Sequence, residues 1–168
     1  ILDKLCVRYS IVDKTNAGNP IKVSFNGELR FDQQMAVAAL INNRIGTLSA
    51  ATAFGKSVVA ANIIAERKTN TLILVHTKAL MEQWQSVLNK FLTIECDAPI
   101  EKPRRGRKRI WSPIGCVGSG KDRRSGLIDI AIMQSLTDGD SVKEWVRDYG
   151  MVIVDECHHL SAFSFERI

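Results

Sequence analysis

Residues 151–158 read Met151-Val152-Ile153-Val154-Asp155-Glu156-Cys157-His158, and this stretch decides the fold class. Its first four residues are continuously apolar, which is typical of a parallel strand that is buried on both faces. The acidic pair Asp155 and Glu156 follows directly. Because open α/β sheets bind ligands beyond the carboxyl ends of their strands, we expect these two carboxylates to lie at a ligand site.

A second motif lies upstream and reads Ala50-Ala51-Thr52-Ala53-Phe54-Gly55-Lys56-Ser57. It fits the phosphate-loop pattern G-x-x-x-x-G-K-[ST] except at its first position. In such a loop, backbone N–H groups and a helix N-terminus hold phosphate oxygens, and the lysine reaches the β and γ phosphates. The two motifs therefore predict an ATP site formed by residues 52–57, with Lys56 in a catalytic role. We expect Ser57 and Asp155 to hold Mg²⁺, and Glu156 to orient or deprotonate the attacking water.

Hydrophobic periodicity predicts a doubly wound, mainly parallel α/β sheet. Strands are expected near residues 47–51, 71–75, 114–117, 128–133 and 151–154, with helices between most of them. The apolar residues in 58–64, 80–91 and 142–149 recur at helical spacing. Residues 118–121 predict a hairpin turn. The stretches Leu5–Val12 and Ile21–Phe25 predict a short N-terminal β-hairpin, so we expect a β extension over residues 1–24 and an α/β lobe over residues 25–168.

Composition is that of an ordinary globular domain, with 45% hydrophobic and 24% charged residues in 168. No run of eighteen apolar residues and no basic-then-apolar leader is found, which predicts a cytoplasmic protein with no membrane partner. The four cysteines form no C-x-x-C pair, so zinc and redox roles are weakly supported.

The ordered motifs resemble the first RecA-like lobe of a superfamily 2 helicase or translocase, of the branch whose second motif reads Asp-Glu-x-His. The stretch Leu29-Arg30-Phe31-Asp32-Gln33 is similar to the adenine-recognising motif of that family. This similarity implies nucleotide contacts by Arg30, Phe31 and Gln33, whose amide offers a donor and an acceptor. His158, within the acidic box, is implied to couple the nucleotide site to a second lobe. The resemblance covers roughly residues 21 to 168.

Two further stretches resemble segments that touch the nucleic-acid backbone in the family. They are Leu74-Val75-His76-Thr77-Lys78-Ala79-Leu80 and Ile130-Ala131-Ile132-Met133-Gln134-Ser135-Leu136. The resemblance implies phosphate contacts by Thr77, Lys78, Gln134 and Ser135.

Positive charge is concentrated in the segment between these two stretches. Its cations are Lys102, Arg104, Arg105, Arg107, Lys108 and Arg109, with no acid among them. The chain carries 23 basic and 18 acidic residues, so the net charge of +5 comes entirely from this segment. A basic run is often a solvated loop, and Pro103 and Gly106 disfavour a helix. We nevertheless favour phosphate contact, because the run lies between two stretches that the resemblance places on the nucleic-acid side.

Two departures from the family pattern matter. The family usually has glycine where this chain has Ala53, and a left-handed backbone there would be strained for alanine. The sequence also stops at Ile168, ahead of the family's Ser-Ala-Thr motif and second lobe, so the resemblance implies a piece of a longer motor.

The sequence thus predicts the ATP-binding lobe of a nucleic-acid-dependent helicase or translocase, with DNA favoured over RNA as its partner. The alternatives are an RNA helicase, a nucleotide-dependent binding switch that does not translocate, and the motor subunit of a restriction or defence complex.

Overall fold

The computed structural model describes residues 15–96, 111–138 and 141–157, together with Arg8. The strands in these residues are β1 (Lys22–Phe25), β2 (Thr71–Val75), β3 (Leu92–Glu95), β4 (Ile114–Gly118), β5 (Lys121–Arg123), β6 (Ile128–Ile132), β7 (Thr137–Asp138), β8 (Ser141–Val142) and β9 (Met151–Val154). The α-helices are α1 (Phe31–Ile41), α2 (Lys56–Arg67) and α3 (Lys78–Phe91). Two 3-10 helices span Met133–Ser135 and Glu144–Asp148.

The central sheet has the strand order β5-β4-β6-β2-β9. The inner strands β4, β6 and β2 and the edge strand β9 run parallel to one another. The other edge strand, β5, pairs antiparallel with β4. Every residue of β2 is buried. The run 151–154, whose continuous apolar character predicts burial on both faces, instead forms β9 at one end of the described sheet, where Val152 is 49% exposed because an edge strand is less completely covered than an inner one. The predicted mainly parallel sheet is therefore confirmed, including the strands expected near 71–75, 114–117, 128–133 and 151–154.

Side chains alternate across β2 and divide the core between the two faces of the sheet. Ile73 and Val75 pack in one apolar cluster with residues of α2 and α3. Leu72 and Leu74 pack in a second cluster with residues of β4, β6 and the 3-10 segments. Because successive residues of a strand point to opposite faces, a single apolar run serves both cores, and the sheet is covered on both sides.

Helix α2 places the phosphate loop at the carboxyl edge of this sheet. The helix ends at Arg67, with Lys68 in the left-handed conformation at its C-cap, and β2 begins at Thr71. Such a short connection makes the helix run antiparallel to the strand that follows it. The N-terminus of α2 therefore lies at the edge where β2 and β9 end.

Three predictions about secondary structure need correction or completion. Residues 47–51 were expected to form a strand but have no regular secondary structure, and three of the five are exposed. Apart from Leu48 they are small or hydroxylated, so they carry little apolar surface to hold the segment against the sheet. The stretch 142–149 does not form an α-helix, since β8 and a five-residue 3-10 helix occupy it. The apolar spacing that predicts a helix there also suits a 3-10 turn, in which residues three apart share a face.

The structure describes the second of the two strands predicted for the N-terminal β-hairpin. Ile21–Phe25 contains β1 as predicted, but β1 pairs antiparallel with β3, which continues directly from α3. Leu5–Val12, the expected partner, lies outside the described residues apart from Arg8. The hairpin turn predicted at 118–121 is confirmed, because Gly118 pairs with Lys121 across Ser119 and Gly120, both with positive φ. Among the described residues, none of the helices is long and apolar enough to cross a membrane.

Candidate nucleotide site

The phosphate loop enters α2 through two residues with left-handed backbone. Gly55 has φ +82° and Ala53 has φ +66°. Glycine adopts this conformation without strain, whereas an alanine Cβ is crowded there. Ala53 therefore has the left-handed backbone that was considered for this position, and the strain expected of an alanine in that conformation applies to it. Within the described part of the chain no side chain caps the N-terminus of α2, so the N–H groups of Lys56 and Ser57, which have no intrahelical partner, are available to an anion.

Lys56 lies across the loop that it closes. Its Nζ donates to the carbonyl oxygen of Ala50 at 2.9 Å, which ties the first residue of the loop to the first turn of α2. The neighbouring Ser57 is half-buried, and its hydroxyl makes no hydrogen bond within the described part of the chain. Lys56 and Ser57 are thus the first two residues of α2, the positions that the phosphate-loop pattern gives to its lysine and its hydroxyl.

Two side chains at the start of α1 hold the loop from the other side. Arg30 Nη2 donates to the carbonyl oxygen of Phe54 at 2.7 Å, and Gln33 Nε2 donates to the same oxygen at 2.9 Å. The Arg30 guanidinium also lies 5.9 Å from the centroid of the Phe54 ring. The predicted adenine-recognising motif and the phosphate loop are therefore in direct contact.

Phe31 and Asp32 of the predicted adenine motif are exposed, and Leu29 is half-buried. Phe31 is 78% exposed, and Met35, one helical turn further along α1, is 59% exposed. The hydrogen bond from Arg30 lowers the pKa of the Asp32 carboxyl below its ordinary value. Phe31 thus offers an apolar ring beside the loop, which suits stacking on a base.

The acidic box follows β9 as predicted. The backbone N–H of Asp155 donates to the carbonyl oxygen of Leu74 at 3.0 Å and so extends the pairing of β9 with β2. Glu156 is half-buried and has φ +53°. Strained backbone of this kind is concentrated at functional sites, where the surrounding structure holds it.

One contact of the acidic box was missed by the sequence reasoning. Trp84 of α3, expected to be a core residue, is indeed 4% exposed, yet its Nε1 donates to Oδ2 of Asp155 at 2.7 Å. The general rule that a buried indole N–H finds a partner was the available signal. It could not identify the partner, which lies 71 residues away in the sequence.

The residues present suit a magnesium ion bound together with phosphates. Oδ1 of Asp155 and the hydroxyl of Ser57 make no hydrogen bond to any described residue, and both are hard oxygen ligands. No group of three or more Asp, Glu, His or Cys side chains converges among the described residues. Mg²⁺ at nucleotide sites is typically held by one or two carboxylates plus phosphate oxygens, which is the arrangement that these residues can supply.

The predicted nucleic-acid contacts lie along the same edge of the sheet. Thr77 and Lys78 follow β2, and Gln134 and Ser135 follow β6, its parallel neighbour. The Thr77 hydroxyl accepts the N–H of Leu80 at 3.2 Å and caps α3. Lys78 forms an exposed ion pair with Glu82 at 3.2 Å, so both segments present polar groups to solvent. The basic run and His158 fall outside the described residues.

The structure joins these predicted residues into two connected groups. The first links Arg30, Gln33, Phe54 and Lys56 through the loop, and the second centres on Asp155. Within the described residues no hydrogen bond or ion pair connects the phosphate loop to Asp155. They share the carboxyl edge of the sheet instead, which is where a nucleotide between them would touch both.

A different polar network lies at the opposite edge, where the strands begin. The buried carboxylate of Asp129 accepts the hydroxyl of Tyr149, the hydroxyl of Ser125, and the N–H groups of Ser125 and Gly126. Nearby, the Arg124 guanidinium lies 4.3 Å from the centroid of the Trp145 ring. None of these residues belongs to a predicted functional motif, and the network fastens the loops that precede β6 and β9.

Known proteins resemble this chain over most of its length. The family model described as "Type III restriction enzyme, res subunit" matches residues 26–168. The DNA 3'-5' translocase XPB2 of Sulfurisphaera tokodaii is 30% identical over 133 residues, which are 79% of this chain and 26% of the translocase. Putative helicase 161L of Invertebrate iridescent virus 6 is 28% identical over 146 residues, covering 84% of this chain and 30% of the viral protein.

A third relative is named for a different nucleic acid. It is a Putative ATP-dependent RNA helicase of Acanthamoeba polyphaga mimivirus, 26% identical over 163 residues that make up 94% of this chain and 28% of the relative. The chain therefore spans between 26% and 30% of the length of these three relatives.

Proposed function

We propose that this chain, which belongs to the family of the res subunit of type III restriction enzymes, is the ATP-binding lobe of a nucleic-acid helicase or translocase. Its fold is that of the first RecA-like lobe of superfamily 2 helicases. The whole protein would couple ATP hydrolysis to movement along nucleic acid or to its unwinding. A second lobe in that protein would complete the cleft around the nucleotide.

One observation carries this proposal: the phosphate loop and the acidic box meet the same edge of one parallel sheet. Lys56 and Ser57 begin α2 at that edge, and Asp155 ends β9 there. Ligands of open α/β sheets bind at this edge. A helix N-terminus, a lysine and a carboxylate are the groups that a magnesium nucleotide needs.

The residues have separate roles in the proposed reaction. Lys56 and the first N–H groups of α2 hold the β and γ phosphates, and the Ser57 hydroxyl and Oδ1 of Asp155 hold Mg²⁺, which neutralises charge on the phosphate oxygens when bound. Glu156 orients the attacking water or takes its proton. Phosphoryl transfer needs mainly positioning and charge stabilisation, and loop, helix and strand ends supply these from rigid elements.

DNA is the favoured nucleic acid. The family description names a restriction enzyme, and one relative is named as a DNA translocase. RNA is the second candidate, because the mimiviral relative is named as an RNA helicase. Thr77, Lys78, Gln134 and Ser135 offer contacts to backbone phosphates, which position a strand without reading its sequence, so either polymer suits them.

The nucleotide assignment is tested by calorimetry with ATP and Mg²⁺ on the protein and on Lys56→Ala. Removal of the ammonium is expected to abolish most of the affinity while leaving the circular dichroism spectrum unchanged. Lys121→Ala is the matched control, since Lys121 is exposed on β5, away from the loop. Equal affinity in Lys56→Ala and in the control would refute the assignment.

The motor activity is tested on the full-length protein that contains this lobe. ATP hydrolysis should rise on addition of nucleic acid, and DNA should stimulate it more than RNA of the same length and sequence. Strand displacement on matched DNA and RNA duplexes then separates unwinding from translocation. Stimulation by RNA alone would transfer the proposal to an RNA helicase, and hydrolysis indifferent to both polymers would overturn it.

A further inference from the structure

Helix α3 brings one indole to the acidic box. Trp84 is 4% exposed, and its Nε1 lies 2.7 Å from Oδ2 of Asp155. A hydrogen bond to an ionised carboxylate is shorter and about twice as strong as one between neutral groups. This contact therefore fixes the side chain of Asp155 far more firmly than packing at a strand end would.

Asp155 is held by two hydrogen bonds, one from its backbone N–H and one to its Oδ2. Its backbone N–H is bound to the carbonyl oxygen of Leu74, and its Oδ2 accepts from Trp84. Its Oδ1 makes no hydrogen bond to the described residues. With backbone and Oδ2 both fixed, the carboxylate cannot rotate freely, and the direction of Oδ1 is set by the protein.

The indole is itself immobilised by the main core. Trp84 shares an apolar cluster with Met81 and Leu88 of α3 and with Ile73 of β2. Side chains in such interiors are close-packed and sit in fixed rotamers. Trp84 therefore acts as a rigid support, which is the condition for holding a functional group in one geometry.

We propose that Trp84 is a positioning residue for the metal of the nucleotide site: it holds Oδ2 of Asp155 so that Oδ1 is directed at Mg²⁺. An indole N–H can only donate, so it cannot compete for the cation, and it leaves the negative charge of the carboxylate in place for the metal. The proposal rests on the proposed function, which assigns Asp155 to Mg²⁺. It adds a residue outside every predicted motif to that site.

Trp84→Phe tests the proposal because it keeps an aromatic ring and removes the N–H. Affinity for a non-hydrolysable ATP analogue is measured by calorimetry with excess Mg²⁺ and again with excess EDTA. Loss of a partner that orients a metal ligand typically costs roughly 10–100-fold in metal affinity. We therefore expect the tightening by Mg²⁺ to fall at least about tenfold in the variant, while the affinity in EDTA stays within about twofold.

Trp145→Phe is the matched control, since Trp145 is half-buried at the opposite edge of the sheet and stacks with Arg124. It should retain the full tightening by Mg²⁺. A purely structural role for Trp84 predicts a different pattern, in which melting temperature falls and both affinities fall together or neither falls. Either pattern would overturn the positioning role.

A second measurement keeps Trp84 and so does not depend on the variant folding. The 168 residues contain three tryptophans. With Trp111→Phe and Trp145→Phe in this chain, Trp84 is the one tryptophan left to report by fluorescence. Mg²⁺ added to the analogue complex should change its emission, because the charge that its N–H faces is then shared with a cation, and Asp155→Asn should abolish that change. Emission unaffected by Mg²⁺ would overturn the proposal.

The same measurements separate a failure of the metal site from a failure of the role of Trp84. If the unmodified protein binds the analogue equally in Mg²⁺ and EDTA, the metal site of the proposed function fails, and the role of Trp84 with it. If the unmodified protein is tightened by Mg²⁺ and Trp84→Phe is tightened equally, the role of Trp84 alone is refuted.

Discussion

The amide Nε2 of Gln33 lies 2.9 Å from the carbonyl oxygen of Phe54 and ties the start of α1 to the phosphate loop. Its Oε1 accepts the backbone N–H of Arg30 at 3.0 Å, and the side chain is buried with 3% exposure. Each end of the amide keeps one further hydrogen-bonding position, since the nitrogen has two hydrogens and the oxygen two lone pairs. Contact of Gln33 with adenine therefore stays a prediction that is compatible with its role as a brace of the loop.

Replacing that amide should loosen the loop. Gln33→Glu places a carboxylate oxygen against the Phe54 carbonyl, so a donor is lost and two acceptors face each other. Breaking a buried hydrogen bond costs about 1–3 kcal/mol. We expect both the free energy of unfolding, measured in urea, and the affinity for ATP to fall.

Gln34→Glu is the control for this change. Gln34 is exposed and its amide bonds the Leu29 carbonyl on the outer side of α1. It should leave ATP binding unchanged. Unaltered ATP affinity in Gln33→Glu would show that the brace does not shape the site.

Ala53→Gly should tighten nucleotide binding. At φ +66° the alanine pays roughly 1–2 kcal/mol for its left-handed backbone. Glycine removes this strain, although its greater freedom in the unfolded chain costs about 0.5–1 kcal/mol. We expect a gain of about 1 kcal/mol in binding, because strain at this residue then no longer opposes the loop conformation that holds the phosphates.

Lys68→Gly separates that effect from general stabilisation. Lys68 has φ +51° at the C-cap of α2, far along the helix from the loop. It should change the melting temperature and leave calorimetric affinity for ATP as it was. Unchanged or weaker binding by Ala53→Gly would mean that the alanine suits the loop.

Apolar continuity and spacing were enough to predict the four parallel strands of the central sheet and helices α2 and α3. Residues 72–75 are apolar because both faces of the sheet are covered at β2. The equally apolar run 151–154 forms an edge strand in which Val152 is 49% exposed, so apolar continuity predicts the strand there but overstates its burial. The glycine and serine of the turn between β4 and β5 identify it in the same local way. The phosphate loop and the acidic box depend on local sequence and were found for that reason.

Contacts between segments that are distant in the sequence could not be predicted. The pairing of β1 with β3 places Val23 opposite Ile94, and the residues of neither segment indicate which strand it pairs with. The contact of Trp84 with Asp155 is of the same kind. Strand formation at 47–51 was wrongly predicted because Leu48 is the one large apolar residue in a run of threonine, serine and alanine, and tertiary packing decides the conformation of such a segment.

The Tyr149 hydroxyl should make stability depend on alkaline pH. Burial, and then the charge of Asp129, raise the pKa of Tyr149 above its ordinary value of 10.0. Above that pH the unfolded chain loses the proton while the folded protein keeps it, so stability is complete below about pH 10 and is lost as pH rises. The slope is at most about 1.4 kcal/mol per pH unit.

Tyr149→Phe removes both the hydrogen bond and this slope. Urea unfolding at pH 8 should show a loss of about 1–3 kcal/mol, because the buried Asp129 carboxylate loses a donor. Between pH 10 and pH 11 the difference in stability between protein and variant should narrow. A difference that stays constant over this range would show that Tyr149 is not the group that titrates.

The basic run of residues 102–109 should make nucleic-acid binding depend strongly on salt. Each phosphate contact releases counterions, so six contacts would give a slope of log K against log salt of about −5 on duplex DNA and about −4 on single strands. Six cations so close in sequence rarely all contact phosphates, and we expect roughly half of these slopes with little sequence preference. Changing Arg104, Arg105, Arg107, Lys108 and Arg109 to serine should weaken binding and flatten the slope, while calorimetry shows ATP affinity unchanged.

Titration of a labelled duplex at four salt concentrations provides the measurement. The same slope in variant and unmodified protein would reduce the run to a solvated loop, and phosphate contact would then depend on Thr77, Lys78, Gln134 and Ser135.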